Sequence, residues 1–165
     1  MRGGIACIAA LAVLLLAACG GGGGRGGPGG TTTTQLSPTA YRAAIAKVKT
    51  EAAKAQSDVG QGLHAKTPDE LKQRVDAFAA ATQRIGDEVA GLKPPENAIS
   101  ANTELAQGLH DIAAGTRAAS AKIAKLKTAQ AGISYLEHSK GPVKGSHEVG
   151  SALAELQKLG YTSSS

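Results

Sequence analysis

An all-α fold, an antiparallel bundle of four helices, is what the sequence predicts on three observations. Apolar residues recur at alternating spacings of four and three, helix-capping residues precede the recurring stretches, and the connections between them are short. The first stripe runs Tyr41, Ile45, Val48, Ala52, Ala55, Val59 and Leu63. Ser37 before Pro38 supplies its start, a capping hydroxyl followed by a proline whose fixed φ suits the first helical turn.

The second start is the clearest in the chain. Thr67, Pro68, Asp69 and Glu70 combine a cap, a first-turn proline, acidic groups facing the positive end of the helix dipole, and a glutamate three residues after the cap. Its seam is Leu71, Val75, Phe78, Thr82, Ile85, Val89 and Leu92, stopped by Gly91, Pro94 and Pro95. A third and longest helix is expected from near Pro95, carrying Ile99, Leu105, Leu109, Ile112, Thr116, Ala119, Ile123 and Leu126. Gly132 is expected to end or kink it, and Ser134 to Glu137 to add a short further turn. A loop with Gly141, Pro142 and Gly145 leads to a last helix capped by Ser146. That helix bears Val149, Leu153, Leu156 and Leu159 and closes at Gly160.

Composition bounds what such a bundle can be. Aromatics are confined to Tyr41, Phe78, Tyr135 and Tyr161, so the core is built from Ala, Leu, Ile and Val. The net charge is +5; setting aside Arg2 and Arg25, which precede the helical segment, leaves 16 basic against 13 acidic residues. Lys54 with Asp58, Glu70 with Arg74, and Arg84 with Glu88 stand four apart, the spacing of a solvated helix face. Basic residues interleaved with stacking aromatics are not found, so no nucleic-acid partner is expected. The exception to this even mixing is Lys122, Lys125 and Lys127, with Arg117 a turn earlier, a stretch suited to anionic headgroups.

Both cysteines, Cys7 and Cys19, lie in the first nineteen residues, which leaves the helical segment without a thiol. Met1 and Arg2 precede an apolar run from Ile5 to Ala18, the layout of a secretory leader. Its fourteen residues fall short of the about 20 needed to span a bilayer. An ordinary secretory site asks for small residues at the first and third positions before the cut, yet a cut before Cys19 puts Leu16 at the third. Leu16, Ala17, Ala18 and Cys19, followed by Gly20, resemble the lipobox of bacterial lipoproteins, an aliphatic residue and two small residues before the modified cysteine. The resemblance implies diacylglycerol on the Cys19 thiol and cleavage just before it by a dedicated peptidase. For a cell with two membranes it also implies that the residue after the cysteine is a sorting signal, and Gly20 is not the aspartate that retains such proteins at the inner membrane. The alanine-rich layout is similar to that of small helical lipoproteins of actinobacteria.

The chain thus divides into a cleaved signal peptide at residues 1–18, a lipidated cysteine and tether at 19–36, and a helical domain at 37–165. Gly20 to Gly30 contains nine glycines and Thr31 to Thr34 continues the low-complexity run, a composition that packs no core and is expected to be disordered. From Gly20 to Leu36 such a coil has a root-mean-square span of about 20–25 Å.

Within the domain no constellation points to catalysis. His64, His110, His138 and His147 lack the spacings of a metal motif, neither four apart from one another nor three after a glutamate. His110 is expected as a hydrogen-bonded residue at the bundle's flank. Serines form no nucleophile elbow, and the tether glycines follow no strand. Thr82 and Thr116 interrupt apolar seams near their centres, where threonine bonds its own helix's carbonyls or marks a small cavity. The expectation is a non-enzymatic protein without cofactor or metal, membrane-held through acyl chains on Cys19 on the outer face of a cell membrane, or in an outer membrane. Its helical surface would meet an envelope protein. A small-ligand or metal-binding bundle is the alternative.

Overall fold

The computed structural model describes residues 35–62, 64–139 and 143–162. The signal-peptide and lipobox assignments, Leu16, Ala17, Ala18, Cys19 and Gly20 among them, lie outside the described residues, as does Leu63. Among the described residues all regular structure is helical: α1 (Pro38–Gly62), α2 (Pro68–Gly91), a 3-10 turn (Glu96–Ala98), α3 (Ile99–Ile123), α4 (Ala129–His138) and α5 (Val143–Lys158).

The capping chemistry read from the sequence for the first two helices is formed. The Ser37 hydroxyl accepts from Ala40 N at 3.2 Å. Thr67, in extended backbone, accepts from Glu70 N at 3.2 Å, and the Glu70 carboxylate reaches back to Lys66 N at 3.0 Å, one residue earlier than a standard capping box. Thr67→Ala is therefore expected to lower stability by about 1 kcal/mol, read as a drop of about 4 °C in the thermal midpoint. An unchanged midpoint would contradict the capping role.

Two boundaries differ from expectation. The third helix ends at Ile123 rather than near Gly132, and α4 is a separate helix beyond it, so five α-helices lie among the described residues where the periodicity predicts four. The chain turns tightly through Lys125 N to Lys122 O and Leu126 N to Ile123 O, and Thr128 then caps α4 by accepting from Ala131 N at 3.2 Å. Gly132 breaks nothing: it is buried within α4, where an added Cβ would lie 2.6 Å from the Leu71 side chain. Its missing side chain is what lets α4 lie close on α2. The last helix begins at Val143, three residues before Ser146.

α2 packs on α1 and on α3, α3 packs on α5, and α4 rests against α2 and α3. Lys47 in the first half of α1 pairs with Glu88 near the end of α2 at 2.7 Å. Asp87 late in α2 meets His110 of α3 at 3.0 Å, and Asp76 earlier in α2 meets Ser120 late in α3. Glu88 thus serves a neighbouring helix rather than Arg84, its partner by spacing, while Glu70 and Arg74 pair at 3.0 Å as read.

The seams are only partly buried: Ala52, Val59, Leu92, Leu126, Val149, Leu153 and Leu159 are of intermediate exposure. Tyr41, Ile45, Leu71, Val75, Ile85, Val89, Leu105, Leu109, Ile112, Ile123 and Leu156 are buried, but Phe78 is only half-buried and Ile99 is 46% exposed. Ile99 opens α3 straight after the 3-10 turn, where Ala98 takes the inward position instead. The core is in two parts. A larger cluster joins α1, α2, α3 and α5, and a smaller one gathers Ala65, Leu71, Val75 and Ile123 beneath Ile133 and Leu136 of α4.

Candidate functional site

Where the chain enters the domain is well defined. Leu36 N donates to Lys93 O at 2.7 Å, and its side chain packs against the larger core. Around this entry stands a buried polar and aromatic cluster. Tyr41 donates its hydroxyl to Asn102 Oδ1 at 3.1 Å, and Asn102 Nδ2 donates to Val89 O at 3.0 Å, so that α1, the end of α2 and the start of α3 are joined through one amide. Tyr161 meets the Tyr41 ring edge-on, with centroids 5.0 Å apart, and donates to Asn97 Oδ1 at 2.9 Å. Arg42 Nε donates to Gly160 O at 2.9 Å, where the positive φ of 77° suits glycine. Burial, with the neighbouring Tyr161, pushes the Tyr41 hydroxyl up to about 12.

Asn102 carries no signal in the sequence beyond being a polar residue on α3's apolar face, and neither the periodicity nor any motif singles it out. Its role appears only when two other helix ends are brought to it.

The four histidines do not converge. His110 bonds Asp87 as a flank residue, its ring lying over Gly86, where an added Cβ would come within 2.5 Å of it. His138 Nδ1 contacts Ser134 O one turn back in α4, and His64 and His147 are exposed. Among the described residues no group of three or more His, Cys, Asp or Glu side chains is placed to hold a metal ion. Thr82 is buried and donates to Phe78 O at 2.9 Å, the backbone bond expected of a mid-helix threonine. Thr116 is also buried.

Thr82 also borders a cleft. Val48, Ala52 and Ala55 of α1 face Val149 and Leu153 of α5 across it, and Phe78 and Thr82 of α2 with Leu109 of α3 form its floor. It opens on the side where α1 and α5 lack the extensive packing that joins the other core helices. Its lining is almost wholly apolar, with Lys49 and Gln56 also bordering it. The space amounts to about 50 Å³, well below the about 300–1,000 Å³ of a drug-sized ligand site.

Two carboxylates outside the core are held in place by neighbours. Partial burial works to raise Asp76, but hydrogen bonds from the Lys72 ammonium and the Ser120 hydroxyl prevail and hold its carboxyl below the usual range. Asp111 is likewise held low, first by the Lys144 ammonium at 2.8 Å and then by Gln107. Lys144 also pairs with Glu148, fixing the start of α5 to the middle of α3.

No helix among the described residues is long and apolar enough to cross a membrane. Comparisons with protein-family models, with curated proteins and with solved structures find no match.

Proposed function

We propose that the chain is a lipid-anchored protein of the cell envelope, held by acyl chains on Cys19 and carrying a non-enzymatic helical module that engages another envelope component. The observation that carries this reading is the sequence Leu16-Ala17-Ala18-Cys19-Gly20 directly after a fourteen-residue apolar run. A thiol is the natural nucleophile for such alkylation, and small flanking residues let an enzyme approach the backbone. Each buried methylene contributes about 0.8 kcal/mol, so two or three chains hold a protein stably where one does not.

In this reading the helices form an antiparallel four-helix bundle of α1, α2, α3 and α5, with α4 laid across one end. The pairing of early with late helix positions at Lys47 and Glu88 and at Asp76 and Ser120 supports it. The small-ligand alternative has the cleft between α1 and α5 in its favour, but a volume of about 50 Å³ asks α1 to move outward before any such ligand fits.

Growth with labelled palmitate tests the anchor. The label is expected on the wild-type chain and absent from Cys19→Ser. Label on the serine variant, or none on the wild type, would overturn the reading.

A further inference from the structure

The domain has two dissimilar ends. One holds the chain entry at Leu36 and Lys93 together with Tyr41, Asn102 and Tyr161. The other holds the turn from α3 to α4 and the connection into α2, and four lysines are exposed there: Lys66, Lys122, Lys125 and Lys127. Ala65 and Ile123, adjacent in sequence to Lys66 and Lys122, sit in the same small core, which brings the two connections together. Asn102 and Lys122 lie twenty residues apart on α3, so the two ends are separated by about 30 Å.

We propose that this lysine-bearing end binds a phosphate-rich anionic polymer of the cell wall. Helix stability explains only part of the charge. Lys122, in the last turn of α3, complements the negative end of that helix's dipole. Lys127 immediately precedes the cap of α4, at the positive end of a helix with no acidic residue in its first turn. A cation there works against the fold by about 0.3–1 kcal/mol. At the matching point before α2, Lys66 is balanced by Asp69 and Glu70. The ion pairs at this end, Glu70 with Arg74 and Asp76 with Lys72, are made by other cations.

The turn that carries Lys125 and Lys127 is also pre-shaped by its own backbone bonds and by the Thr128 cap, so a ligand need not order it. Lysines act as separate point charges on phosphates, whereas bidentate recognition of one group would call for arginine. The average orientation favours a polymer over the bilayer: a tether attached at the opposite end leaves these lysines about 30 Å farther from the anchor. That orientation rests on the lipid-anchor reading, whereas binding itself does not.

The experiment measures binding of linear polyphosphate to the purified full-length chain in zwitterionic detergent, at salt from about 50 to 200 mM. Three proteins are compared: wild type, a variant with Lys122→Gln, Lys125→Gln and Lys127→Gln, and a charge-matched control with Lys49→Gln, Lys93→Gln and Lys158→Gln. The first variant is expected to lose at least about tenfold in affinity and to flatten the salt dependence by about two to three in log–log slope, while the control keeps most of both. Equal losses in both variants would overturn the proposal, as would the absence of saturable binding by the wild type. So would lysine-dependent binding to phosphatidylglycerol vesicles in place of polyphosphate. Failure here with Cys19-dependent labelling intact would remove this ligand and leave the anchor standing.

Discussion

Gly145→Ala is expected to destabilise the domain by about 1–3 kcal/mol, while Gly150→Ala in the same helix stabilises it by up to about 1 kcal/mol. Alanine is the better helix former at an interior position, because glycine loses more backbone freedom on folding. Gly150 follows that rule, since an added Cβ meets nothing within 4 Å. Gly145 does not. A Cβ there would lie 2.7 Å from Ile112 N and press on the carbonyl of Gly108, and Gly108 reciprocates, its own added Cβ falling 2.9 Å from Gly145 O. These neighbours are backbone, which cannot rotate away, so α5 would have to lift from α3 and take the Lys144 contact to Asp111 with it. Thermal or urea unfolding of the two variants checks this, and equal effects at both positions would mean that the close crossing of α3 and α5 does not exist.

Tyr41→Phe is expected to lower stability by about 1–3 kcal/mol, because the ring stays while Asn102 Oδ1 loses the donor it holds in a buried site. The same substitution removes a pH dependence. The folded Tyr41 hydroxyl ionises at about 12, above the ordinary tyrosine value of 10.0. Between those values the unfolded chain releases the proton and the folded chain keeps it. This contribution to stability is therefore complete below pH 10.0 and is lost as the pH rises to about 12. The loss totals about 2–3 kcal/mol at about 1.4 per unit. Subtracting the Tyr41→Phe pH profile from that of the wild type isolates the group from other titrating side chains. A flat difference across that range would show that Tyr41 is not held neutral by burial.

Most of the helical architecture was legible in the residues because its signals are local. The Thr67 cap depends on a short run of neighbouring residues, and the seams through Val75, Ile85 and Ile112 depend only on helical period. The misreading at Gly132 has the opposite cause: glycine ends a helix when nothing packs against it, and only the position of Leu71, sixty-one residues earlier, makes a bare backbone useful there. Ile99 and Phe78 fit the apolar period yet lie partly outside the core, because α1 and α5 leave a cleft and the 3-10 turn alters the inward face. The Asn102 junction was illegible for the same reason. The groups it joins come from parts of the chain that no spacing rule connects.

The proposed lipobox differs from all of these: it is read from residues 16–20 alone, and the proposed location of the protein rests on it. Intact-mass measurement of the mature protein from the native envelope tests it most directly. The expected result is a chain beginning at Cys19, heavier than its peptide mass by a diacylglyceryl group with or without a further acyl chain. A mature chain starting elsewhere, or one starting at Cys19 with an unmodified thiol, would contradict the account.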